Sequence, residues 1–158
     1  MVFLKVVFVC TGNTCRSSMA EALARKWLKA HPDGVGNIEL ASAGLAAAGP
    51  GSPASPRAVE VMGAAGIDLT GHRARQFCHE TARESDLILT MTGNHKRTLV
   101  ALYPGEASKV FTLAEFAGKS GLDISDPFGL PVAIYKQCAR EIEELVDIAF
   151  HKILKQAP

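Results

Sequence analysis

The most constraining stretch of the chain is Val6–Glu21, VVFVCTGNTCRSSMAE, where three kinds of local structure follow one another without a break. An apolar run over Val6–Val9 ends in Cys10. A seven-residue turn follows, Cys10-Thr11-Gly12-Asn13-Thr14-Cys15-Arg16, and Ser17 and Ser18 then open a helical pattern. A cysteine at the end of a buried strand, a loop rich in backbone N–H groups and a helix N-terminus together make an anion site with a thiol at its base. Cys-x5-Arg spacing lets the loop curl so that its N–H groups point inward and the guanidinium closes the ring. Arg16 then offers a bidentate fork to two oxygens of a tetrahedral dianion. The same positive field favours the nucleophilic thiolate of Cys10. Gly12 permits the tight backbone, Asn13 is placed to bond within the loop, and Ser17 is placed to donate its hydroxyl to the sulfur.

Competing motifs are missing. There is no G-x-x-x-x-G-K-[ST] for a nucleotide and no G-x-G-x-x-G for a dinucleotide. The four cysteines, Cys10, Cys15, Cys78 and Cys138, have no CxxC spacing, which argues against zinc, and their density is too low for a disulfide scaffold. Free thiols fit a cytoplasmic protein. A formal charge of +1 gives no reason to expect nucleic acid or an anionic membrane as partner, so any anion specificity is local. No apolar stretch reaches the roughly 18–20 residues of a membrane span, and Met1–Val9 reads as a strand rather than a signal peptide. At 158 residues the chain is expected to form one domain, 1–158, and a monomer.

Around that stretch the pattern alternates strand and helix. Phe3–Val9 reads as a central parallel strand. Ser18 and Glu21 form an expected capping box, with Met19, Leu23 and Trp27 repeating at helical spacing until His31-Pro32-Asp33-Gly34. Trp27 reads as a packing anchor. Ile38–Ala43 is a second strand, Gly44–Pro56 a surface loop, and Arg57–Ala65 a helix capped by Ser55 and stopped by Gly66. His72-Arg73-Ala74-Arg75 lies in a polar connection. Leu87–Met91 and Lys109–Leu113 are further strands, with His95–Leu102 a short helix between them. Asp123–Pro131 is a turn-rich loop. Val132–Lys155 is a long amphipathic helix with the apolar stripe Ile134, Cys138, Ile142, Leu145, Ala149 and Ile153. The alternation implies an α/β fold with a parallel sheet covered by helices on both faces.

A thiolate that displaces a phosphoryl group needs an acid for the leaving atom. Asp126 is the leading candidate, because Pro127 biases it to extended backbone in a loop able to overhang a pocket. Asp123 is the runner-up.

At this point the chain resembles the low-molecular-weight protein phosphatases. The matching features are VCTGNTCRS at Val9–Ser17, SAG at Ser42–Gly44, SPRAV at Ser55–Val59, HRAR at His72–Arg75 and DPFG at Asp126–Gly129, in family order. The resemblance implies a three-layer fold with a four-stranded parallel sheet, and a two-step mechanism without metal or other cofactor. Cys10 takes the phosphoryl group from a phosphorylated protein while Asp126 protonates the leaving group. Asp126 then activates the water that hydrolyses the cysteinyl phosphate, and Arg16 stabilises the transferring group in both steps. It also implies that Thr11, Gly12, Asn13, Thr14, Cys15, Ser17 and Phe128 line the phosphate and substrate site, and that Asn13, Ser17, Ser42 and His72 brace the loop. Cys15 resembles the family's redox partner, which implies a reversible Cys10–Cys15 disulfide.

Departures bear on the substrate. Phosphotyrosine members place a bulky aliphatic residue where Thr14 stands, aromatics in the loop corresponding to Gly44–Pro56, and two aromatics after Asp-Pro. Here that loop carries Ala46, Ala47 and Ala48, and Phe128 is followed by Gly129. Thr14 with DPFG, and Met91-Thr92 followed by His95-Lys96, is similar to the bacterial protein-arginine phosphatase branch. That branch implies a phosphoarginine substrate, with phosphotyrosine as the alternative. An arsenate reductase of the same fold requires two further redox cysteines. A phosphocarrier or a plain phosphate-binding module requires no pairing of Arg16 with Asp126.

Overall fold

The computed structural model describes residues 3–32, 37–47, 49 and 51–156. Four strands form one parallel sheet: β1 (Phe3–Cys10), β2 (Asn37–Gly44), β3 (Leu87–Thr90) and β4 (Val110–Thr112), in the order β2-β1-β3-β4. Among the described residues six α-helices accompany them: α1 (Arg16–Ala30), α2 (Pro56–Ala64), α3 (His79–Glu84), α4 (Gly93–Leu102), α5 (Leu113–Phe116) and α6 (Val132–Gln156). Val6 pairs with Leu40 on one side and Leu87 on the other, so β1 is fully flanked.

The alternation of a strand sorts the core into two layers. Val6, Phe8 and Cys10 face one way and join α1, α2, α5 and α6 in the larger core. Val7 and Val9 face the other way and meet Ala82 of α3 and Leu99 of α4. Phe8 stacks on Phe150 with centroids 6.2 Å apart, and Trp27 tilts against the same ring at 5.8 Å. Trp27 also donates its indole N–H to Asp147 at 2.7 Å, which ties α1 to α6 as the packing-anchor reading expects. Because β2 and β3 lie on opposite sides of β1, their flanking connections diverge there. The crevice at the carboxyl ends of β1 and β3 is the topological switch point, where this kind of sheet binds ligands.

Several sequence expectations are corrected by local chemistry. The Ser18–Glu21 capping box does not form, because α1 starts earlier, at Arg16. Ser18 instead donates to the Cys15 carbonyl at 2.8 Å, and Glu21 accepts from Ser42 and Arg25. The α6 stripe runs through Tyr135 rather than Ile134, which is exposed. α4 starts at Gly93, two residues before the expected His95, since Thr92 caps it by accepting from the His95 N–H. The last strand stops at Thr112, where Thr112 and Glu115 exchange reciprocal cap bonds of 2.9 Å and turn the chain into α5. α3 was not expected; Thr81 ties back to the Cys78 N–H at its start. Of the expected His31-Pro32-Asp33-Gly34 stop of α1, Asp33 and Gly34 lie outside the described residues, as does Ala48. Among the described residues no helix is long and apolar enough to cross a membrane.

Phe150 is fully buried between Phe8 and Trp27. Phe150→Ala is expected to lower the unfolding free energy by about 3–5 kcal/mol in urea denaturation; a loss under about 1 kcal/mol would place the centre of the core elsewhere.

Candidate active site

Cys10 ends β1 with its side chain buried on the α1 face, and the chain then turns through Arg16 into α1. Two contacts converge on its sulfur: the Asn13 N–H donates to it at 3.3 Å, and Ser17 Oγ lies 2.9 Å away. Ser17 Oγ accepts from Asn13 Nδ2 at 2.7 Å, which leaves the serine proton free to point at Cys10. The amide orientation of Asn13 is fixed, because its Oδ1 accepts from the Arg75 N–H at 2.9 Å. Asn13 itself sits at φ 60°, in the left-handed region that asparagine tolerates better than most residues.

Five of the loop's carbonyls have hydrogen-bond donors, four of them from elsewhere in the chain. Cys10 O and Thr11 O accept from the N–H groups of Leu45 and Ala46 at 3.0 and 2.9 Å. Asn13 O accepts from His72 Nε2 at 2.6 Å, which fixes the proton of that imidazole on Nε2. Thr14 O accepts from Ser55 N–H at 2.9 Å, and Cys15 O from Ser18 Oγ and the Met19 N–H. With its carbonyls claimed on the outside, the loop leaves N–H groups for an anion on the inside.

Arg16 is buried at the base of α1. Its Nη1 donates to the Ile124 carbonyl at 2.9 Å, and Nη2 lies 3.7 Å from Asp126 Oδ2. Its Nε is buried with no partner. Asp126 is half-exposed, and its Oδ1 accepts from the Phe128 N–H at 3.1 Å, which aims Oδ2 toward Arg16. Asp123 is committed elsewhere: its Oδ1 caps α4 by accepting from the Gly93 N–H at 2.9 Å. The geometry therefore separates the two aspartates.

Other expected residues fall at varying depths. Thr14 is half-buried, with Oγ1 3.9 Å from Cys15 Sγ. The Cys15 thiol donates to Ser55 Oγ at 3.4 Å and lies 3.6 Å from the Tyr135 hydroxyl. Phe128 is 70% exposed at the rim. Ser42 makes its hydrogen bond to Glu21, at 2.7 Å, rather than to the loop. Cys138 is buried, and burial pushes its thiol up to about 12, which leaves it inert.

Four residues play parts at the site that the sequence reading did not assign to them. Ser55 and Tyr135 form a polar backing for Cys15, and nothing in their local sequence indicates it. His95 reaches the loop, its Nε2 3.0 Å from Thr11 Oγ1. Burial, with the Arg16 charge nearby, pushes the His95 imidazole down to about 4, although Asp123 and Asp126 pull the other way. Gly44 matters for a different reason: a Cβ there would stand 2.6 Å from the Thr11 carbonyl and 3.1 Å from Asn13 N. Gly44→Ala is expected to push the loop out of shape and weaken inorganic phosphate binding by about tenfold or more, measured by calorimetry. Unchanged affinity would show that the loop does not need this close approach.

The family model described as low molecular weight phosphotyrosine protein phosphatase matches residues 5–157. The chain is 41% identical over 143 residues to the protein-arginine-phosphatase of Bacillus subtilis (strain 168), spanning 90% of this chain and 92% of that relative. Among solved structures it is similar to the low molecular weight protein tyrosine phosphatase from T. tengcongensis, with a TM-score of 0.88, 45% identity, and coverage of 94% of this chain and 99% of that one. A cysteine-to-serine mutant of an arginine phosphatase, with a phosphorylated active-site serine, superimposes with a TM-score of 0.89 at 38% identity, covering 97% of each chain. The strand-loop-helix that carries Cys10 and Arg16, on a parallel sheet of this order, thus belongs to a member of the low molecular weight phosphotyrosine protein phosphatase family.

Proposed function

We propose that this chain is a protein-arginine phosphatase working through a cysteinyl phosphate on Cys10. The observation that carries the reading is a buried thiol that accepts from the Asn13 N–H, in one turn with a buried guanidinium whose Nε–H has no acceptor. A buried charged donor left unpaired costs free energy, and a phosphoryl oxygen supplies what is missing.

Cys10 Sγ attacks phosphorus in line. The S–P bond forms as the P–N bond to the guanidine breaks, and the carboxylic acid of Asp126 gives its proton to the departing nitrogen. The loop N–H groups and Arg16 hold the equatorial oxygens as charge builds on them. A water then loses its proton to the Asp126 carboxylate and attacks phosphorus. The S–P bond breaks, and the Cys10 thiolate and inorganic phosphate are released. These steps need only the named side chains and water. Asn13, Ser17 and His72 hold the loop in shape for both.

Substrate choice rests on the walls. Thr14 is anchored through its carbonyl to Ser55 and presents a short β-branched side chain where a larger aliphatic residue would grip a phenyl ring. Gly129 stands at φ 79°, so an aromatic side chain after Phe128 would be strained. Asp126 already faces Arg16 Nη2 at 3.7 Å, yet it stays half-exposed and so leaves carboxylate surface open to a cationic guanidinium. Phosphotyrosine is the second reading, supported by the exposed ring of Phe128 and by relatives named for that activity. We read the protein as one catalytic unit over 1–158, a monomer acting on phosphorylated proteins in the cytoplasm. The four cysteines are free, as a reducing compartment keeps them.

Asp126→Ala is expected to lower kcat by roughly 10²–10⁴-fold; a loss under threefold would move the acid elsewhere. Wild type is expected to prefer phosphoarginine to phosphotyrosine peptides in kcat/KM, and Thr14→Ile to shift that ratio toward phosphotyrosine by about tenfold or more. A wild-type preference for phosphotyrosine, unmoved by the substitution, would overturn the specificity reading.

A further inference from the structure

Thr11 and His95 are left over by the mechanism above, yet they meet at the mouth of the site. Thr11 directly follows the nucleophile. Its carbonyl is claimed by Ala46, its side chain is exposed, and Oγ1 lies 3.0 Å from His95 Nε2. His95 is 6% exposed in the first turn of α4, which packs on the sheet face opposite α2, while Thr14 bonds through its carbonyl to Ser55 at the start of α2. Its Nδ1 is buried with no partner.

That orphan decides the tautomer. A buried N–H with no acceptor is rarer and costlier than an under-used acceptor. The single proton of the neutral ring therefore sits on Nε2, and Nε2–H donates to Thr11 Oγ1. A hydroxyl oxygen has two lone pairs, so one remains for a ligand. The neutral imidazole behind it does not repel a cation, as a protonated one would.

We propose that Thr11, oriented by His95, is a second substrate-selecting wall, accepting a hydrogen bond from an N–H of a phosphorylated guanidinium. Thr11 is the specificity residue and His95 the positioning residue behind it. A phenyl leaving group has no N–H to give and gains nothing from this wall. The proposal deepens the phosphoarginine reading and rests on it.

The test is the ratio of kcat/KM for phosphoarginine to phosphotyrosine peptides, measured alongside vanadate affinity and Tm. Thr11→Val, isosteric and on the surface, is expected to lower the ratio about tenfold or more, with the loss falling on the phosphoarginine peptide. His95→Leu should lower the ratio by a similar factor, and the double variant no further than either alone. His95→Gln, whose amide nitrogen falls near the position of Nε2, should recover most of the loss. A ratio within twofold of wild type for Thr11→Val would overturn the proposal, as would equal losses on both substrates. If wild type prefers phosphotyrosine while Thr11→Val still lowers the ratio, the phosphoarginine reading fails and the selecting wall stands.

Discussion

A ring of peptide N–H dipoles aimed at one point repels itself, and the structure rests on how that repulsion is contained. In Cys10–Arg16 the carbonyls of Cys10, Thr11, Asn13 and Thr14 are matched by donors from other segments, Leu45, Ala46, His72 and Ser55, and that of Cys15 by the adjoining start of α1. The first four donors come from chain positions between Leu45 and His72, well beyond the loop in sequence, so the loop keeps its shape only in the folded molecule. The interior of the ring keeps its unmet donors, chief among them the buried Nε of Arg16. Such pre-set donors cost stability in the empty site and stabilise charge when a phosphoryl group arrives.

The sheet explains why these parts meet. β1 is flanked on both sides, so its carboxyl end opens where the connections from β1 and β3 diverge. The α1 layer supplies Cys10 and Arg16, the α2 junction supplies Ser55, α4 supplies His95, and the loop before α6 supplies Asp126. Ile124 is the hinge of this arrangement. Its N–H bonds to the Met91 carbonyl at the end of β3, and its own carbonyl receives Arg16. One residue thereby sets the acid-bearing loop against both the sheet and the guanidinium.

Legibility in the sequence followed the range of the interactions. The strand-turn-helix at Val6–Glu21 was readable because its parts are contiguous, and the apolar run, the glycine and the Cys-x5-Arg spacing each have a local physical meaning. The parallel sheet followed from alternating strands and helices. Helix starts were less readable where two caps competed. Ser18 and Glu21 have the spacing of a capping box, but their partners are the Cys15 carbonyl and Ser42, the second brought in by β2. Thr112 and Glu115 have the same spacing and do form the box, so the signal was present and only context separates the cases. Gly44 and His95 were beyond local reading. The need for glycine arises from a carbonyl 2.6 Å from where its Cβ would be, and His95 acquires meaning only when α4 lies beside Thr11. The following proline ranked Asp126 above Asp123 in the sequence; the structure separates them by giving Asp123 a helix to cap and Asp126 Arg16 to face.

The central claim is that phosphate passes through the sulfur of Cys10. Phosphorus NMR of enzyme quenched in denaturant during turnover of a phosphoarginine peptide tests this directly. The account predicts a sulfur-bound phosphorus signal that maps to the peptide containing Cys10 and disappears in Cys10→Ser. Phosphorus bound to a histidine nitrogen, or release of phosphate with no enzyme-bound species under conditions where chemistry is fast, would contradict it.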